Sequence, residues 1–180
     1  MSLKQLFHDA RNPPEGPTHL SFKGRAVLVT GANSDLGYQA ALKYAAQGPL
    51  ILDVRTQEKG ETAKASIVRG TGTSSKIMIE TVDLSTFTSV QQFCDRVCRR
   101  VPELHVALLC AGLAKPKFIR GLEGFEMALQ VNVLSTALMA LLLLPKLRET
   151  AAAAEAQASS PSLSDDETFL PHLTFLNSHS

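Results

Sequence analysis

The stretch Thr30–Gly37, TGANSDLG, joins an apolar run, AVLVT, to a segment with helical patterning. Glycines at 31 and 37 allow close backbone approach. N–H groups opening a helix there would point at an anion, with the helix dipole behind them, which is the chemistry of diphosphate binding. Asn33, Ser34 and Leu36 complete the turn. The strict G-x-G-x-x-G spacing is absent, and no Gly-Lys-Ser/Thr follows, so the turn alone fits either a cofactor loop or a tight structural turn.

Asp35 stands between the two glycines. A carboxylate about 4 Å from a phosphate charge costs about 1 kcal/mol in water and about 4 at an effective dielectric of 20. Asp is also a good N-cap for a helix beginning at Leu36. The sequence therefore predicts weakened but measurable anion binding.

A second cluster is LILDVRTQEKG, 50–60. A carboxylate at the tip of a second strand accepts from a ribose 2′-OH, and a basic residue there pairs with a 2′-phosphate. Strand alternation places Asp53 and Arg55 on one side and Val54 on the other. Two readings stand: Asp53 takes the ribose, or Arg55 takes the 2′-phosphate with Lys59 adding positive charge. His105, His172 and His179 form no ligand set, and neither H-E-x-x-H nor C-x-x-C occurs, so no metal is expected. Cys94 and Cys98 share a helix face and read as core. No Ser–His–Asp arrangement is legible.

These residues need elements to position them. Strand-like runs at 26–30, 50–54, 76–82, 105–110 and 173–177 alternate with helix-like patterns at 36–47, 57–68, 88–100 and about 124–150. Such alternation implies an α/β fold, a doubly wound parallel sheet of about five strands with helices on both faces. Residues 1–23 read as an irregular lead-in and 24–180 as the folded domain. A flexible Ala/Ser-rich insert is expected near 151–170, where the alanines can extend the long helix.

The 180 residues suffice for one domain, and 44% hydrophobic with 19% charged residues is ordinary for a globular chain. A net charge of +1 argues against a nucleic-acid partner. Three cysteines read as reduced thiols of a cytoplasmic protein, and no signal peptide is seen. The most apolar run, Ala137–Leu144, is too short to span a bilayer, so no membrane span is expected.

As an ordered set the motifs resemble the classical short-chain dehydrogenases/reductases, most closely fungal retinol-dehydrogenase-like members, over about residues 20–180. TGANSDLG resembles the TGxxxGxG turn, with Asp35 replacing its middle glycine. TVDLS, with Asp83 and Leu84, resembles the adenine-contacting stretch. LLCAGLA, with Ala111 and Gly112, stands where the family has NNAG, Leu109 and Cys110 replacing both asparagines. VNV resembles the helix carrying the family's Asn, here Asn132. PHLTFLNSHS resembles the serine strand, with Ser178 the better match and Ser180 the weaker.

The resemblance implies a Rossmann fold, a nicotinamide cofactor and a small-molecule carbonyl or alcohol substrate, with a role in secondary metabolism. An apolar residue followed by Arg at the strand tip, here Val54–Arg55, marks NADP users in that family. Its Tyr donates the proton, its Lys lowers the Tyr pKa, its Ser holds the substrate carbonyl and its Asn supports a water relay. The only tyrosines here are Tyr38 and Tyr44, and no Tyr-x-x-x-Lys occurs, so the chain reads as truncated before that motif and inactive alone. Two alternatives remain: a non-catalytic NADP-binding module paired with another subunit, and a non-functional remnant. The 124–150 helix is the candidate homodimer surface. Asn132 has a plainer reading too, a hydrogen bond to neighbouring backbone.

Overall fold

The computed structural model describes residues 21–158 and 169–176. Five strands form one parallel sheet: β1 (Val27–Val29), β2 (Leu50–Val54), β3 (Ile77–Thr81), β4 (Val106–Leu109) and β5 (His172–Phe175), in the order β3-β2-β1-β4-β5. The connecting helices are α1 (Asp35–Ala45), α2 (Gln57–Thr71) and α3 (Phe87–Arg100). A long helix, α4, starts at Met127–Leu129, passes through a π-helical turn at Gln130–Ser135 and continues over Thr136–Ala158.

Local chemistry accounts for most of these boundaries. β1 and β2 are buried on both faces, as their unbroken Val/Leu/Ile character requires of central parallel strands. Thr56 caps α2, its hydroxyl accepting from Lys59 N at 3.4 Å, and Gly72 ends that helix in the left-handed conformation, φ +64°. In α3 the predicted stripe Val90, Phe93, Cys94 and Val97 is buried.

The sheet separates two cores. On one side Ile51, Phe93, Val97, Met139 and Leu143 pack beneath α3 and α4. On the other, Val29, Leu52, Ala41, Ala63 and Ile67 pack beneath α1 and α2. A buried carboxylate ties α3 to β3: Glu80 accepts from Arg96 Nε at 3.1 Å and Arg100 Nη1 at 2.6 Å.

One expectation holds and two change. The alanines do extend the long helix, to Ala158. The apolar run of 137–144 therefore lies within a helix, Met127–Ala156, long and apolar enough to cross a bilayer, contrary to the length argument from the run alone. Its Met139, Leu143 and Leu147 nonetheless pack in the sheet core, while Leu141 on the opposite side is 68% exposed. In the expected lead-in, Phe22 is packed, edge-on to Tyr44 and Phe169 at 5.1 and 5.7 Å. Of the expected insert, 151–158 are helical and 159–168 lie outside the described residues.

Candidate functional site

From β1 the chain winds outward to β2 and β3, then returns to place β4 on the other side of β1. The ends of β1 and β4 are thus a topological switch point, where open parallel sheets form ligand crevices. A cleft of about 340 Å³ lies there. The turn after β1 supplies Gly31, Asn33, Ser34, Leu36 and Gly37. Arg55 enters from the β2 tip, Asp83 and Leu84 from the loop after β3, and Ala111 and Gly112 from the loop after β4. Sequence reasoning did not name Val131 of the π turn or Leu176 after β5, which also line it.

The turn is built by close backbone packing. Gly31 has φ +66°, and a Cβ there would sit 3.1 Å from Ala111 Cα. At Gly37 a Cβ would collide with the carbonyl oxygen of Gly31, so this glycine serves the approach of α1 to its own turn. Thr30, also missed, fixes the opposite wall: its buried hydroxyl accepts from Cys110 N at 2.8 Å and Ala111 N at 2.9 Å. A threonine directly before the first turn glycine was the signal that could have found it. The first hydrogen bond closing α1 runs from Tyr38 N to Ser34 O at 3.0 Å. The N–H groups of residues 35, 36 and 37 precede it, and the Ser34 side chain caps none of them. α2, by contrast, has its cap. The open donors beside the glycine turn suit an anion such as a diphosphate.

Asp35 is not the N-cap that the sequence suggested. Ser34 holds that position, and Asp35 is the first helical residue, exposed and with φ +49°. A left-handed backbone at this point explains why a glycine suits it.

At the β2 tip the two candidate residues part. Asp53 is 3% exposed, and burial pushes its carboxyl well above the ordinary carboxylate range. It accepts no side-chain hydrogen bond from the described residues. Arg55, one residue past the strand, has a side chain 63% exposed and pairs with Asp83, Nη2 to Oδ1 at 3.4 Å. Partial burial alone would raise the Asp83 pKa; hydrogen bonds from Ser85 and the Arg55 charge outweigh it and hold the group below its usual value. Lys59 does not line this cleft. It lies in a neighbouring cavity of about 410 Å³ between α1 and α2, which shares Asn33 and Ser34 with the cleft.

The Asn132 side chain reaches out of its helix to the loop after β4. Its Oδ1 accepts from Leu113 N and its Nδ2 donates to Leu113 O, each at 2.9 Å. Ser178 and Ser180 lie outside the described residues. Cys110 lines the cleft with its thiol pushed up by burial, which keeps it protonated at neutral pH.

Comparison with known proteins agrees with this geometry. Residues 25–161 match the family described as short chain dehydrogenase. The chain is 47% identical over 156 residues to a short-chain dehydrogenase/reductase of Aspergillus flavipes, covering 85% of this chain and 46% of that protein. It is 44% identical over 142 residues to another from Phaeosphaeria nodorum, covering 77% and 42%. The chain thus spans about half the length of the curated relatives it matches. A similar solved structure is that of a short chain dehydrogenase from Escherichia coli CFT073 complexed with NADPH, at 31% identity and TM-score 0.56, covering 69% of this chain and 54% of that one.

Proposed function

Because this chain belongs to the short chain dehydrogenase family, we propose that it binds NADP as the cofactor half of an oxidoreductase that interconverts carbonyl and alcohol groups on a small molecule. The family uses nicotinamide cofactors; bound, such a cofactor supplies or accepts the hydride. The open amides of residues 35–37 would hold the diphosphate, and Thr30 keeps the Ala111–Gly112 backbone against the turn. Asp83 and Leu84 wall the adenosine end.

One contrast carries the preference for NADP: Arg55 is in solvent at the cleft, whereas Asp53 is buried. A guanidinium is available to a 2′-phosphate, whereas the Asp53 carboxyl, which also lines the cleft, is only 3% exposed and burial disfavours its charged form. Supporting this, the similar Escherichia coli protein was solved with NADPH. Titration of NADPH and NADH before and after Arg55→Ala tests the reading. A preference for NADPH that falls about tenfold or more is expected from the loss of a charged hydrogen bond. Equal binding of both by the unmodified chain would overturn it.

A second reading rests on the proton. Hydride delivery to a carbonyl leaves an alkoxide that needs a positioned acid. Met1–Ser180 contains no Tyr-x-x-x-Lys; Tyr38 and Tyr44 both sit on α1, and the Asn132 amide is engaged by Leu113. For this 180-residue polypeptide we expect cofactor binding without turnover, the behaviour of a binding module. Carbonyl reduction by the purified chain would refute that. The exposed outer side of α4 supports a homodimer through this helix, which a sedimentation measurement would test.

A further inference from the structure

We infer that the π-helical turn Gln130–Ser135 is a positioning device that holds the two walls of the nucleotide cleft at a set separation; this rests on the nucleotide-binding reading above. One wall is gripped through Ser135, whose buried hydroxyl donates to Leu84 O at 2.6 Å and accepts from Gln130 Nε2 at 2.9 Å. The other is gripped through Asn132, which holds both backbone atoms of Leu113 at 2.9 Å. Leu84 and Leu113 both line the cleft, and Val131, next to Asn132 in the same turn, lines it too.

The winding makes this arrangement work. An α-helix turns every 3.6 residues, so side chains five apart point to different sides. In a π turn the repeat lengthens to i→i+5. Gln130 and Ser135 are five apart and hydrogen-bonded, and Thr136 Oγ1 bonds Val131 O across the same spacing at 2.9 Å. Gln130 is fully buried, and its Oε1 has no partner among the described residues. An unmatched buried acceptor destabilises the fold. What Gln130 supplies is the bond that orients the Ser135 hydroxyl toward Leu84.

On the nucleotide-binding reading the loop after β3 walls the adenosine end and the loop after β4, with Leu113, walls the nicotinamide end, so loss of the Ser135 grip should be felt at the first and not at the second. The test titrates the 180-residue chain with adenosine 2′,5′-bisphosphate and, separately, with nicotinamide mononucleotide. Ser135→Ala is expected to weaken the first about tenfold, the loss of one hydrogen bond, and to leave the second within about twofold. Asn132→Ala should show the opposite selectivity. Gln130→Met removes the unmatched acceptor while keeping the bulk, so it serves if Ser135→Ala fails to fold, and it should show the adenosine-selective loss with an unchanged or higher melting temperature. Equal weakening of both fragments, or lowered melting temperatures with affinities intact, would make the turn merely structural and sink the inference. If the unmodified chain binds neither fragment, the nucleotide reading falls first and takes the inference with it.

Discussion

The Arg55 guanidinium reaches Asp83, Nη2 to Oδ1 at 3.4 Å, and joins the tip of β2 to the loop after β3. Both side chains are largely in solvent, so the pair contributes at most about 1 kcal/mol. On the proposed NADP reading it would compete with a 2′-phosphate for the same cation. Asp83→Asn keeps an Oδ1 acceptor for Ser85 N and removes the competing charge. Parallel titrations should show the NADPH-to-NADH affinity ratio rising by up to about fivefold. A falling ratio would show that Asp83 holds Arg55 in its binding position.

Asp35 combines two separable costs, a left-handed backbone and a negative charge beside the open amides. Asp35→Gly should stabilise the chain by about 1 kcal/mol through relief of the backbone. It should also tighten dinucleotide binding about fivefold to tenfold, since the exposed charge acts through water. Asp35→Asn removes the charge while leaving a side chain on the left-handed backbone. Calorimetric titration and thermal melts should then give a gain in affinity with little gain in stability. Unchanged affinity in both variants would eliminate the repulsion.

Asp53 makes stability depend on pH in a direction opposite to that of most carboxylates. Burial raises its folded pKa above the unfolded value near 3.8. Its contribution is therefore complete below 3.8 and is lost as pH rises from there through the folded value. Asp53→Asn carries no charge at any pH. Urea denaturation should find it more stable than the parent at pH 7.5 and level with it at pH 4. A constant difference across that range would place the Asp53 charge in a solvated or paired setting.

His105 acts at the other end of the sheet. Its Nδ1 accepts from Ala26 N at 3.2 Å, and burial, with Arg25 nearby, lowers its pKa below 6.5 despite Glu103. The unfolded chain then binds the proton more readily, so stability is complete above pH 6.5 and falls as the solution is acidified below it. Melting temperatures between pH 5 and 8 should show this decline. His105→Asn offers an amide oxygen to Ala26 N and should flatten it, and an unaltered slope in that variant would assign the effect elsewhere.

The sequence by itself determined the order of the elements, because hydrophobic periodicity reports on near neighbours. β2 was legible to both ends, the α3 stripe residue by residue, and the turn through its glycines. Gly31 and Arg55 could be named from the glycine turn and the strand-tip charges, Asp83 and Ala111 only from the resemblance of TVDLS and LLCAGLA to family motifs. Tertiary structure alone decided what surrounds those residues. It placed Thr30 against Ala111, 81 positions away, buried Asp53 while leaving Arg55 in solvent, and engaged the Asn132 amide with Leu113. It also wound the long helix into a π turn that its apolar pattern does not reveal. The physical reason is range: local pattern records which face of an element turns inward, whereas a hydrogen bond or a desolvated charge depends on which distant segment the chain brings alongside.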